Sequence, residues 1–539
     1  METALPLLKG KITLQDALKE DDDIIQNLSY PEKRAIFWLY LGRRRSQITE
    51  IISRHLNISP ANLRLGDVRE WIHGSFNACI PIYISPSPRN PNLPERAIIR
   101  FPLPYKTGEA FFPGNVDEKL RCEAATYIWL HSNCPTVPIP RLYGFGFPGT
   151  QSFTALENES LFNRLRWYFR SARAWVSGQT LPPYFAHPRR SILDVGYLVI
   201  EHVGEGKMLS ESWKEHRGDP DRRANLFRDL SRIILSAAKL SLPRIGSWTM
   251  DDRGVLSLSN RPLAFQLHQL ENCNIPTEMP RDLTYTSVEP YLLDLIACHD
   301  SRIRHQPNSI YSQEDGEAQL SALATMRALL PKLTSRRLRG GPFVLTLTDL
   351  HQSNIFVDDD WHITRLIDLE WACVRPIEML SPPTWLSSAG VGKSALGIDE
   401  LVGEELDSYA SAREEFMNVF EAEESALRQS DAYTKILRRC WDTGNFWYAR
   451  ALDCPTGLYA LFMFHVQPRF ADLSNSALDE FGRVVAPYWD LDAPDFILAK
   501  IGERERYCSQ IRDMFAAAAS PGPPGDEEKE DRDGASVKT

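Results

Sequence analysis

Three polar side chains stand at fixed offsets in LTDLHQSNIFVDDDWHITRLIDLEW (347–371), and their types could serve phosphoryl transfer. Asp349 and Asn354 are five residues apart, and Asp368 follows two short apolar runs. Phosphoryl transfer needs a carboxylate that orients the attacking hydroxyl and an amide that holds magnesium. It also needs a second carboxylate that bridges magnesium to the nucleotide phosphates. The spacing D-x-x-x-x-N places the first two on one turn.

The apolar runs beside these residues predict two short strands. NIFV (354–357) and ITRLI (363–367) flank the acidic turn Asp358–Asp360, which gives a strand, a turn, a strand and then an acid. Antiparallel strands would bring Asn354 and Asp368 together and hold them rigidly. An ordinary hairpin with an aspartate-rich turn shows part of the same pattern, so we interpret Asp358–Asp360 as turn formers only.

LTDLHQSN followed by IDLEW resembles the motif pair H-G-D-L-H-x-x-N and I-D-W/F-E of the aminoglycoside phosphotransferase and choline kinase family. The similarity is greatest to a large fungal branch and covers about residues 67–210 and 340–375. It implies that Asp349 is the catalytic base and that His351 supports the loop. It implies that Asn354 and Asp368 are magnesium ligands, and Glu370 matches the small-molecule kinases of the family.

The motif departs from the family at Leu347 and Thr348, which replace the usual His and Gly. This departure keeps a second function open, a nucleotide-binding pseudokinase or regulatory module with the same fold. A protein kinase is a third interpretation. It is disfavoured because the chain has no A-P-E motif and only a short stretch before SPPTWL (381–386).

The resemblance also implies a nucleotide site upstream. GSFNACIPIYI resembles the hairpin that covers phosphates, with Gly74 allowing close backbone approach and Asn77 at the tip. RAIIRF puts Arg100 where kinases place the phosphate-binding Lys of V-A-I-K, although Arg and Lys differ in reach and geometry. Glu123, on the next helix, is the expected ion-pair partner of Arg100. Taken alone, GSFNACIPIYI could be an ordinary hairpin. Glu123, taken alone, could be a solvated glutamate on the surface of a helix.

GYLVIEHVGEG (196–206) resembles the strand and hinge that receive adenine through main-chain groups. Glu201 and Val203 would flank that contact. The cofactors that the resemblance implies are therefore ATP and Mg²⁺, and the acceptor is a small molecule with a hydroxyl group.

The elements around these motifs predict an α+β protein with a protein kinase-like, two-lobed fold. The small N-lobe is rich in strands, and the larger C-lobe is mostly helical. We expect a helical extension over residues 1–66, an N-lobe over 67–205 with an insertion at about 151–190, and a C-lobe over 206–515. Residues 516–539 are rich in Pro, Gly and charge, which predicts a disordered tail.

Apolar patterning locates the main elements within these regions. Strands are predicted over 68–72, 78–84, 96–101 and 196–201, and helices over 32–52 and 117–133. Within the insertion, SLFNRLRWYFRSARAWVSG is amphipathic and basic. We expect this segment to dock its apolar face on its own lobe, with an acidic membrane surface as the alternative.

Composition limits the setting and the partners. The net charge of −10 argues against nonspecific nucleic-acid binding and would suit a cationic acceptor. Nine cysteines without C-x-x-C pairs indicate reduced thiols, and the chain shows no signal peptide or apolar run of membrane-spanning length, so we predict a cytoplasmic protein. No protein partner can be predicted.

The aromatic stretch WDTGNFWY (441–448) could bind an amine, but core packing is favoured.

Overall fold

Most of the strands lie in the first half of the chain and the second half is largely helical, in a computed structural model that describes residues 3–85, 94–149, 151–188, 193–387 and 401–519. This mixed architecture confirms the predicted α+β fold class, with a β-rich N-terminal region and a largely helical C-terminal region. The tail predicted to be disordered lies outside the described residues from position 520 onward.

The strands, in chain order, are β1 (Ala4–Pro6), β2 (Lys11–Thr13), β3 (Leu63–Leu65), β4 (Ile72–His73), β5 (Asn77–Ile84), β6 (Arg96–Pro102), β7 (Leu142–Gly146), β8 (Gln151–Ala155), β9 (Tyr184–Pro188), β10 (Tyr197–Glu201), β11 (Lys207–Met208), β12 (Ser247–Met250), β13 (Leu256–Asn260), β14 (Phe343–Thr346), β15 (Ile355–Val357), β16 (Ile363–Leu366) and β17 (Cys373–Pro376).

The helices are α1 (Leu14–Ala17), α2 (Ile24–Gly42), α3 (Arg45–Leu56), α4 (Asn115–Asn133), α5 (Leu161–Val176), α6 (Leu209–His216), α7 (Pro220–Ala237), α8 (Phe265–Asn272), α9 (Val288–His305), α10 (Gln313–Leu333), α11 (Gly403–Arg428), α12 (Ala432–Thr443), α13 (Asn445–Asp453), α14 (Leu458–Leu461), α15 (Asn475–Val485) and α16 (Ala493–Ala519). Residues 516–519, which were assigned to the tail, form the end of α16.

An eight-stranded antiparallel sheet forms the N-lobe, in the order β3-β5-β6-β10-β7-β8-β9, with β4 also paired to β5. Ile80, Ile82 and Ile84 alternate with half-buried residues along β5, so one side of the strand packs on the core. The prediction of a strand over 68–72 is wrong for most of that range. Val68–Glu70 forms a 3₁₀ turn because the Asp67 and Glu70 side chains cap it, and only the short β4 follows.

Helix α4 lies between the sheet and the C-lobe, and it begins two residues before the predicted start. Leu120, Ala124, Tyr127 and Ile128 are buried in the largest hydrophobic core, which they share with the C-lobe helices. Because this helix is enclosed on most of its surface, its polar residues must find partners inside the protein.

Two strand pairs carry the catalytic motif. β14 pairs with β17, and β15 pairs with β16, both antiparallel, while β11 adds a strand beside β15. The strand, turn and strand predicted between Asn354 and Asp368 are therefore confirmed.

Residues 1–66 contain the expected helices and also strands β1, β2 and β3. The helix predicted over 32–52 is divided between α2 and α3, and Ile36 and Leu39 of its apolar stripe are exposed. Helices α2 and α3 pack on the N-lobe sheet, whereas β2 and the start of α2 pack on α16. The backbone N–H of Ile24 donates to the Tyr507 hydroxyl of α16 at 2.7 Å. This segment thus contacts both lobes.

Both ends of the predicted insertion belong to the sheet, since β8 and β9 pair with each other and β8 pairs with β7. Helix α5 connects them, and none of its residues is buried. The expectation that its apolar face docks on the lobe is wrong, because periodicity identifies an apolar face but not the direction in which it points. Over the described ranges, no helix has both the length and the apolar character required to cross a membrane.

Candidate active site

The loop between β14 and β15 joins the predicted base to the predicted amide. The Asn354 side chain donates through Nδ2 to the Asp349 carbonyl oxygen at 3.0 Å and to its Oδ2 at 3.2 Å. The Ile367 N–H donates to the Asn354 carbonyl at 2.9 Å, which sets Asp368 beside Asn354 across the hairpin. The three residues singled out by their spacing are thereby brought together.

Asp368 has an unusual backbone. Its φ is 58°, in the left-handed region that residues other than glycine rarely adopt. Residues held in such conformations cluster at active sites and ligand clamps. Its side chain is 34% exposed, and Oδ1 accepts from Arg100 Nη2 at 2.6 Å.

The side chain of Arg100, on β6, is buried among three carboxylates. Nη1 lies 3.1 Å from Glu123 Oε1, and Nη2 lies 3.2 Å from Glu370 Oε2 in addition to its contact with Asp368. The predicted ion pair between Arg100 and Glu123 is present. Arg100 therefore connects the N-lobe sheet, α4 and the segment after β16.

Sequence reasoning misses Lys119, the second cation of this cluster. Its side chain is fully buried, and Nζ donates to Glu370 Oε2 at 2.7 Å and to Asn77 Oδ1 at 2.9 Å. It also lies 3.6 Å from Glu123 Oε2, one helical turn away on α4. The i,i+4 spacing of Lys119 and Glu123 was the available signal, but nothing local points to Glu370.

The hairpin that resembles a phosphate cover lies against the cluster. Gly74 N–H donates to the Asn77 carbonyl at 2.8 Å, which closes the turn. Asn77 was predicted to lie at the tip of the turn, but it is the buried first residue of β5. Its Nδ2 donates to Glu370 Oε2 at 2.6 Å. Phe76, in the turn, packs edge-on against Trp371 with ring centroids 4.9 Å apart.

Burial and crowding of like charges change the ionisation of these carboxyl groups. Burial raises the pKa of Asp349 to about 7, and the charges of Glu370 and Asp368 add to the rise. Burial also raises the pKa of Asp368 and of Glu123, although Arg100 opposes both shifts. Burial would raise the pKa of Glu370 too, but Lys119 and Arg100 hold it below its ordinary value.

The site contains more acidic than basic groups. Two buried cations face four carboxyl groups, which belong to Glu123, Asp349, Asp368 and Glu370. The Asn354 amide donates through its nitrogen and leaves its oxygen for a ligand, and Asp368 offers a partly exposed carboxylate. Magnesium prefers such oxygen ligands, and proteins usually supply one or two of them beside phosphate oxygens and water. The residues present therefore fit magnesium.

Of the two predicted hinge residues, Glu201 ends β10 and Val203 follows it, and both lie apart from these contacts. Glu201 Oε2 accepts from the Arg141 N–H at 3.0 Å, and Oε1 lies 3.7 Å from Arg365. Val203 is half-buried in the irregular segment before β11. Any role of these residues in binding adenine would depend on the main chain.

The loop is fixed despite the departure from the family motif. The Thr348 hydroxyl donates to the Trp371 carbonyl at 2.6 Å, and Trp385 Nε1 donates to the Leu350 carbonyl at 2.8 Å. Leu347 packs against the main core. Burial lowers the pKa of His351, so its ring is neutral at pH 7, and Nδ1 lies 3.2 Å from Ser353 Oγ.

A cleft of about 400 Å³ opens on the C-lobe side of Asp349, within the size range of small-molecule sites. Its walls come from the catalytic loop, α7, α8, β14, β17, the segment 379–385 and the end of α13. The polar and charged lining residues include Thr348, Asp349, His351, Gln266, Gln269, Arg375, Arg450 and Asp453.

Charges in this cleft are not all paired. Arg375 and Asp453 form a bidentate ion pair, with Nη1 2.9 Å from Oδ2. Arg450 has no hydrogen-bond or ion-pair partner among the described residues, and its Nε is buried without an acceptor. The cleft therefore contains a cation, Arg450, that no residue in the described part of the chain neutralises.

The aromatic residues considered for amine binding belong to the core. Phe446, Trp447 and Tyr448 are buried there, which confirms the favoured interpretation. The side of α13 that faces the cleft carries Arg450 and Asp453 instead.

Comparison with known proteins agrees with the geometry. Residues 96–379, more than half of the chain, match the family model described as the phosphotransferase enzyme family APH. This family belongs to the protein kinase-like superfamily, so the predicted family and fold are confirmed. No curated protein matches the chain significantly.

Proposed function

We propose that this chain, which belongs to the phosphotransferase enzyme family, transfers the γ-phosphoryl group of ATP to a hydroxyl group of a small molecule. The observation that carries the proposal is the convergence of Asp349, in the loop before β15, with Asn354 and Asp368 at the ends of the β15–β16 hairpin. These residues provide the base and the metal-binding oxygens that the reaction requires.

Asp349 accepts the proton of the attacking hydroxyl in this proposal. A pKa of about 7 places it near the working pH, where a general base is most effective. The Asn354 amide orients the Asp349 carboxylate through its hydrogen bond. His351, neutral and at the edge of the cleft, supports the loop conformation.

Asn354 and Asp368 would hold magnesium, which when bound neutralises charge on the phosphate oxygens. Arg100 would present its guanidinium to the nucleotide phosphates, since a buried arginine keeps its charge. We assign the Gly74 turn to covering the phosphates, and the main chain of Glu201 and Val203 to contact with adenine.

The acceptor would occupy the cleft beside Asp349. The unpaired Arg450 favours an acceptor that carries an acidic group in addition to its hydroxyl. A cationic acceptor, which the overall charge seemed to suit, would have to bring its charge close to Arg450. Walls that include Leu350, Met379 and Trp385 would cover an apolar portion of the molecule.

A pseudokinase remains the second candidate because Leu347 and Thr348 replace His and Gly. The hydrogen bond from Thr348 to Trp371 supports the enzyme instead, since it anchors the loop without those two residues. All nine cysteines are free thiols, which is consistent with a cytoplasmic setting.

Calorimetric titration of ATP, with and without magnesium, tests the proposal. We expect magnesium-dependent binding that Asp368→Ala abolishes. Asp359→Ala is the matched control, because Asp359 lies in the turn of the same hairpin with its side chain 94% exposed. Binding that ignores magnesium and Asp368 would support the pseudokinase. If the folded chain bound no nucleotide, the proposal would fail.

A screen of small hydroxylated compounds then tests the acceptor class. Turnover with hydroxy acids but not with hydroxylated amines is the expected result. The reverse preference would contradict the assignment of Arg450 while leaving the phosphotransferase proposal intact.

A further inference from the structure

Helix α5 is a feature that phosphoryl transfer does not explain. More than half of its residues are apolar, yet none is buried. Phe169 is 78% exposed, Trp175 77% and Val176 80%. Soluble monomers seldom expose a contiguous apolar patch unless it binds a partner.

The opposite side of α5 is attached to the protein. Trp167 Nε1 donates to the Pro182 carbonyl at 3.0 Å, and Arg170 Nη2 donates to the Arg253 carbonyl at 3.1 Å. The Ser160 hydroxyl caps the start of the helix. The helix is thus held in place while its apolar side faces solvent.

We call the exposed apolar side of α5 the outer face. It follows helical spacing and covers roughly 140° of the helix circumference. Its members are Leu161, Phe162, Leu165, Tyr168, Phe169, Ala172, Trp175 and Val176.

Arginines border the outer face on both edges. By helical geometry, Arg166 and Arg173 lie along one edge and Arg164 along the other. The helix contains no acidic residue. A partner for this surface must therefore combine apolar material with negative charge.

Two occupants from this chain itself fit poorly. A second copy would bring two sets of arginines together, which is repulsive. Segment 520–539 is acidic, but Val537 is its only large apolar residue, so it would leave the outer face uncovered.

A membrane surface with anionic lipids meets both requirements. Interfacial helices place aromatic and aliphatic side chains at the boundary of the acyl chains and keep their arginines among the phosphate groups. The rest of the chain would be repelled, since the net charge is −10, and this repulsion would orient the molecule with α5 toward the lipid. We propose that α5 binds the surface of a membrane that contains anionic lipids, through its outer face and its bordering arginines.

Co-sedimentation of the full chain with lipid vesicles tests this proposal. We expect binding to vesicles of phosphatidylcholine mixed with phosphatidylserine, weakening as salt is raised, and no binding to phosphatidylcholine alone. The double variant Phe162→Ser/Phe169→Ser should weaken binding by at least about tenfold. Arg166→Gln/Arg173→Gln should weaken it by about fivefold for each arginine.

Leu491→Ser is the matched control, because Leu491 is 94% exposed but lies outside α5. It should leave vesicle binding unchanged. Unchanged thermal unfolding of the α5 variants would show that they fold, as expected for exposed positions.

Three results of the vesicle experiment would overturn the proposal. These are equal binding to neutral and anionic vesicles, an absence of binding to both, and binding that the phenylalanine variant does not weaken. A lipid-free dimer that the same variant dissociates would assign the outer face to self-association and would also overturn it. Nucleotide binding is measured separately, so failure here does not bear on the phosphotransferase proposal.

Discussion

The two sides of the active site differ in how their charges are matched. On the proposed nucleotide side, Arg100 and Lys119 are buried, and each contacts more than one carboxylate. In the proposed acceptor cleft, Arg450 has no partner among the described residues. The first arrangement is already paired before any ligand arrives, so it contributes to the fold in addition to the phosphate contact proposed for Arg100. The second is incomplete, so its cation is available to a substrate.

Removal of the proposed base should have the largest effect. Asp349→Asn should lower turnover by about 10²–10⁴-fold, because proton abstraction by a positioned group contributes that much. Affinity for magnesium-ATP should change little. The measurement is the initial rate of ADP formation with the best acceptor. A variant that kept roughly a tenth of the rate would exclude this role for Asp349.

Glu370→Ala and Arg450→Ala should differ in their effect on the free energy of unfolding, and this difference distinguishes the two sides of the site. Loss of Glu370 removes one of the two buried carboxylates, Glu123 and Glu370, that Lys119 and Arg100 share, so the free energy of unfolding should fall by about 3–5 kcal/mol. Arg450→Ala, the matched change in the cleft, should alter it by no more than about 0.5 kcal/mol. Urea denaturation followed by circular dichroism measures both. Equal losses would contradict the distinction between a structural and a ligand-binding cation.

Arg450→Ala should instead weaken binding of the acceptor. Loss of a charge-assisted hydrogen bond to an acidic group should raise the KM for that acceptor by about 10–100-fold. The KM for magnesium-ATP should not change. Arg450→Lys should recover part of the loss because it restores the charge without the planar fork. An unchanged acceptor KM in Arg450→Ala would remove Arg450 from the binding site.

The pH dependence should report the ionisation of Asp349. Since its pKa is about 7 and the base must be ionised, kcat/KM should rise with pH and level off above 7. One pH unit below that value, the rate should be about tenfold lower than on the plateau. A profile flat from pH 5 to 8 would show that another group abstracts the proton.

The same pKa shift predicts an opposite trend in stability. A carboxyl group whose pKa is raised by folding binds more protons in the native state than in the unfolded state. Its contribution to stability is present below pH 4 and is lost as pH rises toward 7. Glu378, whose pKa burial also raises to about 7, adds a similar trend. The difference between the native chain and Asp349→Asn isolates the part due to Asp349.

Thr348→Val should have the smallest effect. It removes the hydrogen bond to the Trp371 carbonyl and preserves the shape of the side chain. The free energy of unfolding should fall by about 1 kcal/mol, with a small loss of turnover as the loop loosens. Thermal unfolding and steady-state kinetics measure the two. No change in either would show that the loop is held by its other contacts.

The catalytic hairpin and Arg100–Glu123 could be predicted because their signals are local or follow a known motif order. Strand alternation and residue spacing suffice for Asn354 and Asp368. Lys119 could not be predicted, since its contact with Glu370 joins residues 251 positions apart. Asn77 was misplaced for a related reason. Its turn is tighter than the motif suggests, and its amide is drawn into the buried charges.

Two other errors have different physical causes. The strand expected over 68–72 depended on β propensity, and side-chain capping by Asp67 and Glu70 outweighed it. The direction in which the apolar face of α5 points could not be predicted from the spacing of its apolar residues. This spacing is the same whether the face packs on the core or is exposed to solvent.

The first 66 residues have a mechanical consequence. One part is fastened to α16 through Ile24 and Tyr507, and another is packed on the N-lobe sheet. Gln26 Nε2 also donates to the Asn272 carbonyl of α8 at 3.0 Å. Residues 1–66 therefore link the two lobes along their outer surface. Wide hinge opening between the lobes would break these attachments, so we expect relative motion of the lobes to be small.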